Sequence, residues 1–318
     1  MTIILRSLSA AVVLLLAYGV ASPPAGASAA DALGFEVFSP DGTIARTAVS
    51  AAALPRASSL APAATEVVTI QRTGDPSVRF DLVFIGDGYT AAEQDLFHRQ
   101  AVARWQQLSA REPFATLRDK FNVWQVNAVS RESGSDNDPT RGVRRDTVLN
   151  GTFYCGDVAR LVCVDDAAAR RYAALAPGAD QALVLVNSGT YGGSGGTVTV
   201  SSGGNSQSGE IVVHELGHSI GGLADEYGGS GSYPGGEPSE PNVSRLDASA
   251  MRTRNAKWAA YLGRSTPDGG VIGTYEGGYY YDRGVYRPSQ DSIMRTLGRE
   301  FNLIGRDRLT AAIIARTG

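Results

Sequence analysis

The sequence predicts an α/β fold on a twisted mixed sheet, and two observations lead there. Strand-like apolar runs alternate with a helical segment, and one run is continuously apolar, as a strand covered on both faces requires. The 318 residues, 43% of them hydrophobic, with 38 glycines and a formal net charge of -3, suffice for a sizeable core. At roughly 150 residues per domain this length corresponds to about two domains or one bilobed unit. The near-neutral balance speaks against a nucleic-acid partner, because phosphate binding needs clustered Lys and Arg, and Arg141, Arg144 and Arg145 form only a local patch.

Taken in order, residues 1–29 read as a signal peptide. Arg6 gives a short positive region, residues 8–20 are apolar, and Ala27-Ser28-Ala29 offers a small-residue cleavage site. The apolar run is short for a spanning helix of about 20 residues and no second run follows, so a secreted, extracellular protein without stable membrane insertion is expected. Residues 30–66 read as a linker or pro-segment, rich in Ala, Ser and Pro, with little periodicity from 51 to 64. Within them Phe35-Glu36-Val37-Phe38 before Pro40-Asp41-Gly42 fits a strand and turn whose role stays open.

The compact region, 67–318, opens with strands at 67–71 and 80–85, the second ending at Gly86-Asp87-Gly88. A helix is expected from Thr90, an N-cap with Glu93 three residues on, through Phe97, Val102 and Trp105 to Leu108. Residues 121–129 alternate as a third strand, and 181–186 is the continuously apolar one. Between Gly189 and Gly209, Gly and Ser surround the β-prone Thr197-Val198-Thr199-Val200. That stretch fits either a flexible surface loop or an exposed edge strand able to pair with an extended peptide. Cys155 and Cys163, close together in a chain read as exported, are expected to form one disulfide.

The chemistry concentrates in His214-Glu215-Leu216-Gly217-His218. On a helix, two histidines four residues apart project from one face and can reach one metal ion. Glu215 is offset by about 100° and lies beside a metal-bound water rather than on the metal. Peptide hydrolysis uses that arrangement: zinc polarises the scissile carbonyl and acidifies the water, while the glutamate takes the proton and passes it to the leaving amine. Two of the chain's three histidines occur here, Ile211-Val212-Val213 offers apolar burial, and Gly221-Gly222 ends the helix where a third ligand must return.

Catalytic zinc usually takes three protein ligands, and Asp225 and Glu226 follow the glycines directly. The metzincin layout brings a last ligand in after such a glycine turn. Gly221 stands at its expected glycine, but Ala224 occupies the expected ligand position, leaving Asp225 one residue late and Gly222 to absorb the shift. Asp225 is therefore the expected third ligand, with Glu226 as second choice. Glu237 and Glu240 are disfavoured because their surroundings break helices. Downstream, Ser292-Ile293-Met294-Arg295 resembles the Met-turn that floors a metzincin site, although Thr296 stands where a tyrosine is common.

His214 to Tyr227, HELGHSIGGLADEY, resembles the active-site signature of the immunoglobulin A peptidase family of bacterial metallopeptidases. The stretch Asp81-Leu82-Val83-Phe84-Ile85-Gly86-Asp87-Gly88-Tyr89-Thr90, Glu132-Ser133-Gly134, Gly284-Val285-Tyr286-Arg287-Pro288 and the Met294 turn resemble the same family, so the similarity runs from about Val67 to the C-terminus. The resemblance implies a metzincin-like α/β catalytic domain, a zinc ion, and endopeptidase cleavage of protein or peptide substrates. It does not imply immunoglobulin A as the target.

Several other residues invite assignment. Tyr279, Tyr280, Tyr281, Tyr286 and Arg287 are candidates for stabilising the oxyanion, against a tyrosine-rich packing loop. Asp136-Asn137-Asp138 lacks EF-hand spacing and reads as a solvated turn. His98 reads as an exposed helix residue, and the sequon Asn242-Val243-Ser244 as a surface loop. The rival to a zinc endopeptidase is a secreted non-catalytic peptide-binding or protein-binding module on the same scaffold; the retained Glu215 favours catalysis.

Overall fold

The protein is seen in a computed structural model that describes residues 32–56 and 65–318, so the expected signal peptide lies outside the described residues. Along the chain come a hairpin of β1 (Ala32–Phe38) and β2 (Ile44–Ser50), then β3 (Val67–Gln71), β4 (Phe80–Asp87), α1 (Gln94–Leu108), β5 (Phe121–Val126) and α2 (Asp166–Ala173). They are followed by β6 (Gln181–Val186), β7 (Gly193–Ser194), β8 (Thr199–Ser202), α3 (Gly209–Ser219), α4 (Ala248–Arg254), a hairpin of β9 (Tyr275–Gly278) and β10 (Tyr281–Arg287), and α5 (Leu303–Thr317). No helix among the described residues is long and apolar enough to cross a membrane.

Six strands form one mixed sheet in the order β3-β5-β4-β6-β8-β7. The four inner strands run parallel, and β3 and β7 are antiparallel edges. Side chains alternate between two cores. Leu82 and Phe84 of β4, with Leu183 and Leu185 of β6, pack against α1, α3 and α5, while Val83, Ile85, Val184 and Val186 pack against α2 and the loops beside it. Both faces are therefore covered, and the central strands carry the apolar runs Leu82–Ile85 of β4 and Ala182–Val186 of β6. Two carboxylates are buried inside, each accepting from neighbouring donors. Asp81 accepts from Asn122 Nδ2 and Trp124 Nε1, and Asp87 from the Leu149 and Gly151 amides and the Thr147 hydroxyl.

The start of α1 follows its expected cap. The Glu93 carboxylate accepts from the Thr90 amide and hydroxyl at 2.9 and 2.8 Å, and a short 3₁₀ turn leads into the helix. Three expectations are corrected. Strand β5 ends at Val126 rather than residue 129 and does not alternate: all six residues are buried, because β3 and β4 flank it and both faces are packed. His98 is half-buried and bonds Gln125 Oε1 through Nδ1. The Asp136 to Asp138 run is half-buried and ties loops together, Asp136 pairing with Arg144 and Asp138 accepting from Ser188. Cys155 and Cys163 form the expected disulfide.

Part of the Gly-rich stretch is sheet. Strand β8 pairs in parallel with β6, its Val200 buried, and β7 forms the sheet edge. Strand β1 lies beside that edge.

Candidate metal centre

Helix α3 is held by Ile211, Val212, Val213 and Leu216, all buried against the sheet. Its four-residue spacing turns His214 and His218 the same way, and their Nε2 atoms lie 3.0 Å apart. Each ring is fixed from behind. His214 Nδ1 donates to the Ile293 carbonyl at 2.9 Å and His218 Nδ1 to that of Leu223 at 2.7 Å. With Nδ1 carrying the proton, both Nε2 lone pairs face one point.

The chain after α3 is turned back by Gly222, whose φ of 59° is left-handed, with amides of Gly222 and Leu223 closing onto the carbonyls of His218 and Gly217. Asn242 then clamps Ala224, accepting from its amide and donating to its carbonyl, both at 2.8 Å. Asp225 arrives with Oδ1 at 3.3 Å from His214 Nε2 and 3.2 Å from His218 Nε2. Glu226, the second choice, faces away. It is buried and accepts from Asn242, Ser292 and Asn302, tying three distant segments together. Asn242 of the sequon is thus in the interior rather than on the surface.

A fourth donor, the second carboxylate, completes the cluster. Glu36 of β1 places Oε2 at 3.4 Å from His214 Nε2 and 3.5 Å from His218 Nε2. Sequence reasoning passed it over, because it lies 178 residues before His214. A signal was present: strand alternation puts Glu36 on the same face as Phe38, whose buried ring meets the His214 ring edge-on, and an acid on an apolar face needs a partner. Each carboxylate gives one oxygen to a tyrosine and turns the other inward. Tyr227 Oη donates to Glu36 Oε1 at 2.9 Å, and Tyr280 Oη to Asp225 Oδ2 at 2.6 Å.

This donor set fits a divalent metal ion. Tetrahedral ligands at bond lengths of about 2.0–2.1 Å stand about 3.3–3.4 Å apart. The separations from either imidazole to Asp225 and Glu36 run from 3.2 to 3.5 Å. Asp225 Oδ1 is buried without a hydrogen-bond partner. Electrostatics agree. Burial opposes charge on His214, but Glu36 and Asp225 outweigh it and lift its pKa to about 10; His218 is likewise raised. Asp225, despite burial, is held well below the usual carboxylate range by His218 and His214. Two protonated imidazoles at 3.0 Å would repel, whereas one cation answers the same negative charge without opposing N–H groups.

Glu215 is outside this quartet but lines the groove in front of it. Burial and the nearby Glu36 push its pKa up to about 8, the two imidazoles opposing the rise. Gly195, just past β7, lies against its carboxylate so closely that a Cβ would overlap it at 1.8 Å. Beneath the helix, Met294 packs on Gly217, where a Cβ would stand 2.5 Å from the sulfur. The groove holds about 720 Å³, lined among others by Glu36, Gly195, Glu215, His218, Asp225 and Tyr280.

Of the five oxyanion candidates, Tyr280 alone is bonded to the cluster. Tyr279 reaches Glu240, Tyr281 packs on Tyr233, Tyr286 pairs with Ser244, and Arg287 donates to the carbonyls of Glu276, Gly277 and Gln290. The turn Tyr279-Tyr280 has φ of 52° and 71°, an uncommon conformation for bulky side chains, held because their amides donate to the carbonyls of Asp225 and Tyr227.

Comparison with protein families yields one match that covers most of the chain. The family described as IgA Peptidase M64 matches residues 68–268 and 264–313, and the chain belongs to it. Comparison with curated proteins gives no match. Membership makes the protein a peptidase, a hydrolase whose substrates are proteins or peptides. The matched region starts after the β1–β2 hairpin.

Proposed function

We propose that this member of the IgA Peptidase M64 family is a secreted zinc endopeptidase with a metzincin-like catalytic domain over 67–318. His214, His218 and Asp225 are its metal ligands, Glu215 its general base, and the Met294 turn its floor. The observation that carries this reading is the convergence of two Nε2 lone pairs and an unpartnered carboxylate oxygen on one point, with Glu215 bordering the same groove.

Zinc bound there would polarise the scissile carbonyl and acidify a water. Glu215 takes a proton from the attacking water, whose oxygen bonds to the carbonyl carbon. As the C–N bond breaks, the protonated Glu215 gives that proton to the leaving amine. A carboxylate buried among negative charges holds a proton more readily than a solvated one, which suits it to both transfers. Tyr280 fixes the orientation of Asp225 through its 2.6 Å hydrogen bond. Peptide substrate occupies the groove beside the cluster that Ser194, Gly195, Thr197 and Glu215 line.

The test is to express the full chain with its own first 29 residues, collect it from the medium, and measure zinc content and casein hydrolysis. Glu215→Ala should keep the zinc and lose roughly 10²- to 10⁴-fold in rate. Hydrolysis that persists in Glu215→Ala, or after chelator treatment, would refute the mechanism.

A further inference from the structure

Glu36 creates a conflict with hydrolysis. A catalytic zinc takes three protein ligands and keeps a further position open, whereas four protein donors make a closed, structural site. Glu36, His214, His218 and Asp225 offer four donor atoms all within 4.8 Å of one another. The fourth donor comes from a hairpin that precedes the matched region and is joined to it through residues 51–66.

Resting on the metallopeptidase reading above, we infer that the β1–β2 hairpin is an intramolecular latch, whose Glu36 fills the position that the reaction needs for water. Hydrolysis of one peptide bond between Ser50 and Val67 by another peptidase molecule consumes a water and leaves a new carboxylate and a new amine. The hairpin is then free to withdraw, and the site opens.

Three further contacts support the latch. Strand β1 stands beside the edge strand β7, and Leu33, Gly34 and Glu36 line the groove opposite Ser194, Gly195 and Glu215, so the hairpin occupies ground an extended substrate would cross. Phe38 is 1% exposed and covers the His214 ring, shielding it from water. Arg46 of β2 lies over the Tyr280 ring at 4.2 Å, engaging the residue that orients Asp225. A tethered occupant acts at an effective concentration in the millimolar range, so modest contacts suffice to exclude substrate.

The test uses the chain from residue 30 to 318 with a recognition site for a specific peptidase inserted after Arg56, loaded with cobalt(II), whose visible absorption reports its ligands. Uncut protein should hydrolyse casein at least ~10-fold more slowly than cut and diluted protein, as a displaced tethered competitor requires. Cutting should also change the cobalt spectrum. Glu36→Gln, which keeps the side-chain size, should show the spectrum of the cut form while still uncut and should gain activity; its melting curve checks that it folds. A cobalt spectrum that responds neither to cutting nor to Glu36→Gln would overturn the latch, as would equal hydrolysis by uncut and cut protein, and Glu36 would then be a permanent ligand or a bystander. A spectrum that responds to both while neither form hydrolyses peptides would uphold the latch contact and overturn the peptidase mechanism instead.

Discussion

Two hairpins converge on the cluster of His214, His218 and Asp225, and they are fastened in different ways. The β9–β10 hairpin is built into the domain through its backbone: Tyr279 and Tyr280 donate to Asp225 and Tyr227, and Tyr286 exchanges bonds with Ser244. It lies inside the matched residues 264–313. The β1–β2 hairpin leans less on its backbone, which the Leu297 amide meets at the Gly42 carbonyl, while Phe38 and Ile44 join the main core. It is held mostly by packing of Phe38, Ile44 and Val49 and by side chains such as Arg160, which donates to the Phe38 carbonyl at 2.9 Å. Strands of one shape can thus be part of a site or a cover upon it, and the difference lies in which backbone groups depend on the rest of the chain.

The sharpest break would come from the two inward carboxylates. Asp225→Ala should weaken metal binding by more than about 100-fold, while Glu36→Ala should retain near-stoichiometric metal after dialysis, because three ligands suffice for a catalytic site. Equal loss in both variants would erase the distinction between the hairpins. Next is Glu226→Ala, which leaves Asn242, Ser292 and Asn302 without their acceptor. Unfolding in urea should show a loss of about 3 kcal/mol, with metal retained in the folded fraction. If Glu226→Ala loses metal and Asp225→Ala keeps it, the ligand register is wrong.

Tyr280→Phe removes the hydroxyl that orients Asp225 and should lower hydrolysis by the processed enzyme about tenfold, the usual range for such supporting hydrogen bonds. An unchanged rate would reduce the tyrosine turn to packing. The smallest effect belongs to Arg46→Ala. Loss of its contact with Tyr280 is worth about 0.5–1 kcal/mol, so amide exchange in β1 and β2 should quicken by at most ~5-fold, with β9 and β10 unmoved. Faster exchange in all four strands would mean that the hairpins open together.

What could be read in advance follows the range of the interactions. Strands β4 and β6 and helix α3 were legible because burial is written into contiguous residues, and the Thr90–Glu93 cap is local by nature. Asp225 was within reach because only seven positions separate it from His218 and Gly222 marks the turn. Helix α5 carries a local signal too, an Asn302 cap with Leu309 and Ile313 four apart. Glu226 was beyond reach for a different reason, and Glu36 was signalled only as an acid in need of some partner. Their roles depend on partners brought from far along the chain, and a carboxylate's own neighbours do not say whether it will be solvated, clamped or turned toward a metal.

The packing of Met294 on Gly217 also bears on chemical durability. The thioether rests in a notch that exists because residue 217 has no side chain, and Met294 is only 1% exposed. An oxygen added to that sulfur would enlarge a group that already fills its space, and an oxidant has no route to it while the helix and the turn stay together. Oxidative damage at this position is therefore gated by local opening rather than by the reactivity of the sulfur. Once it occurs, the larger sulfoxide no longer fits the notch at Gly217 and holds the two segments apart. Oxidative ageing of this peptidase would then begin beneath the groove, with His214 and His218 chemically intact and their support gone.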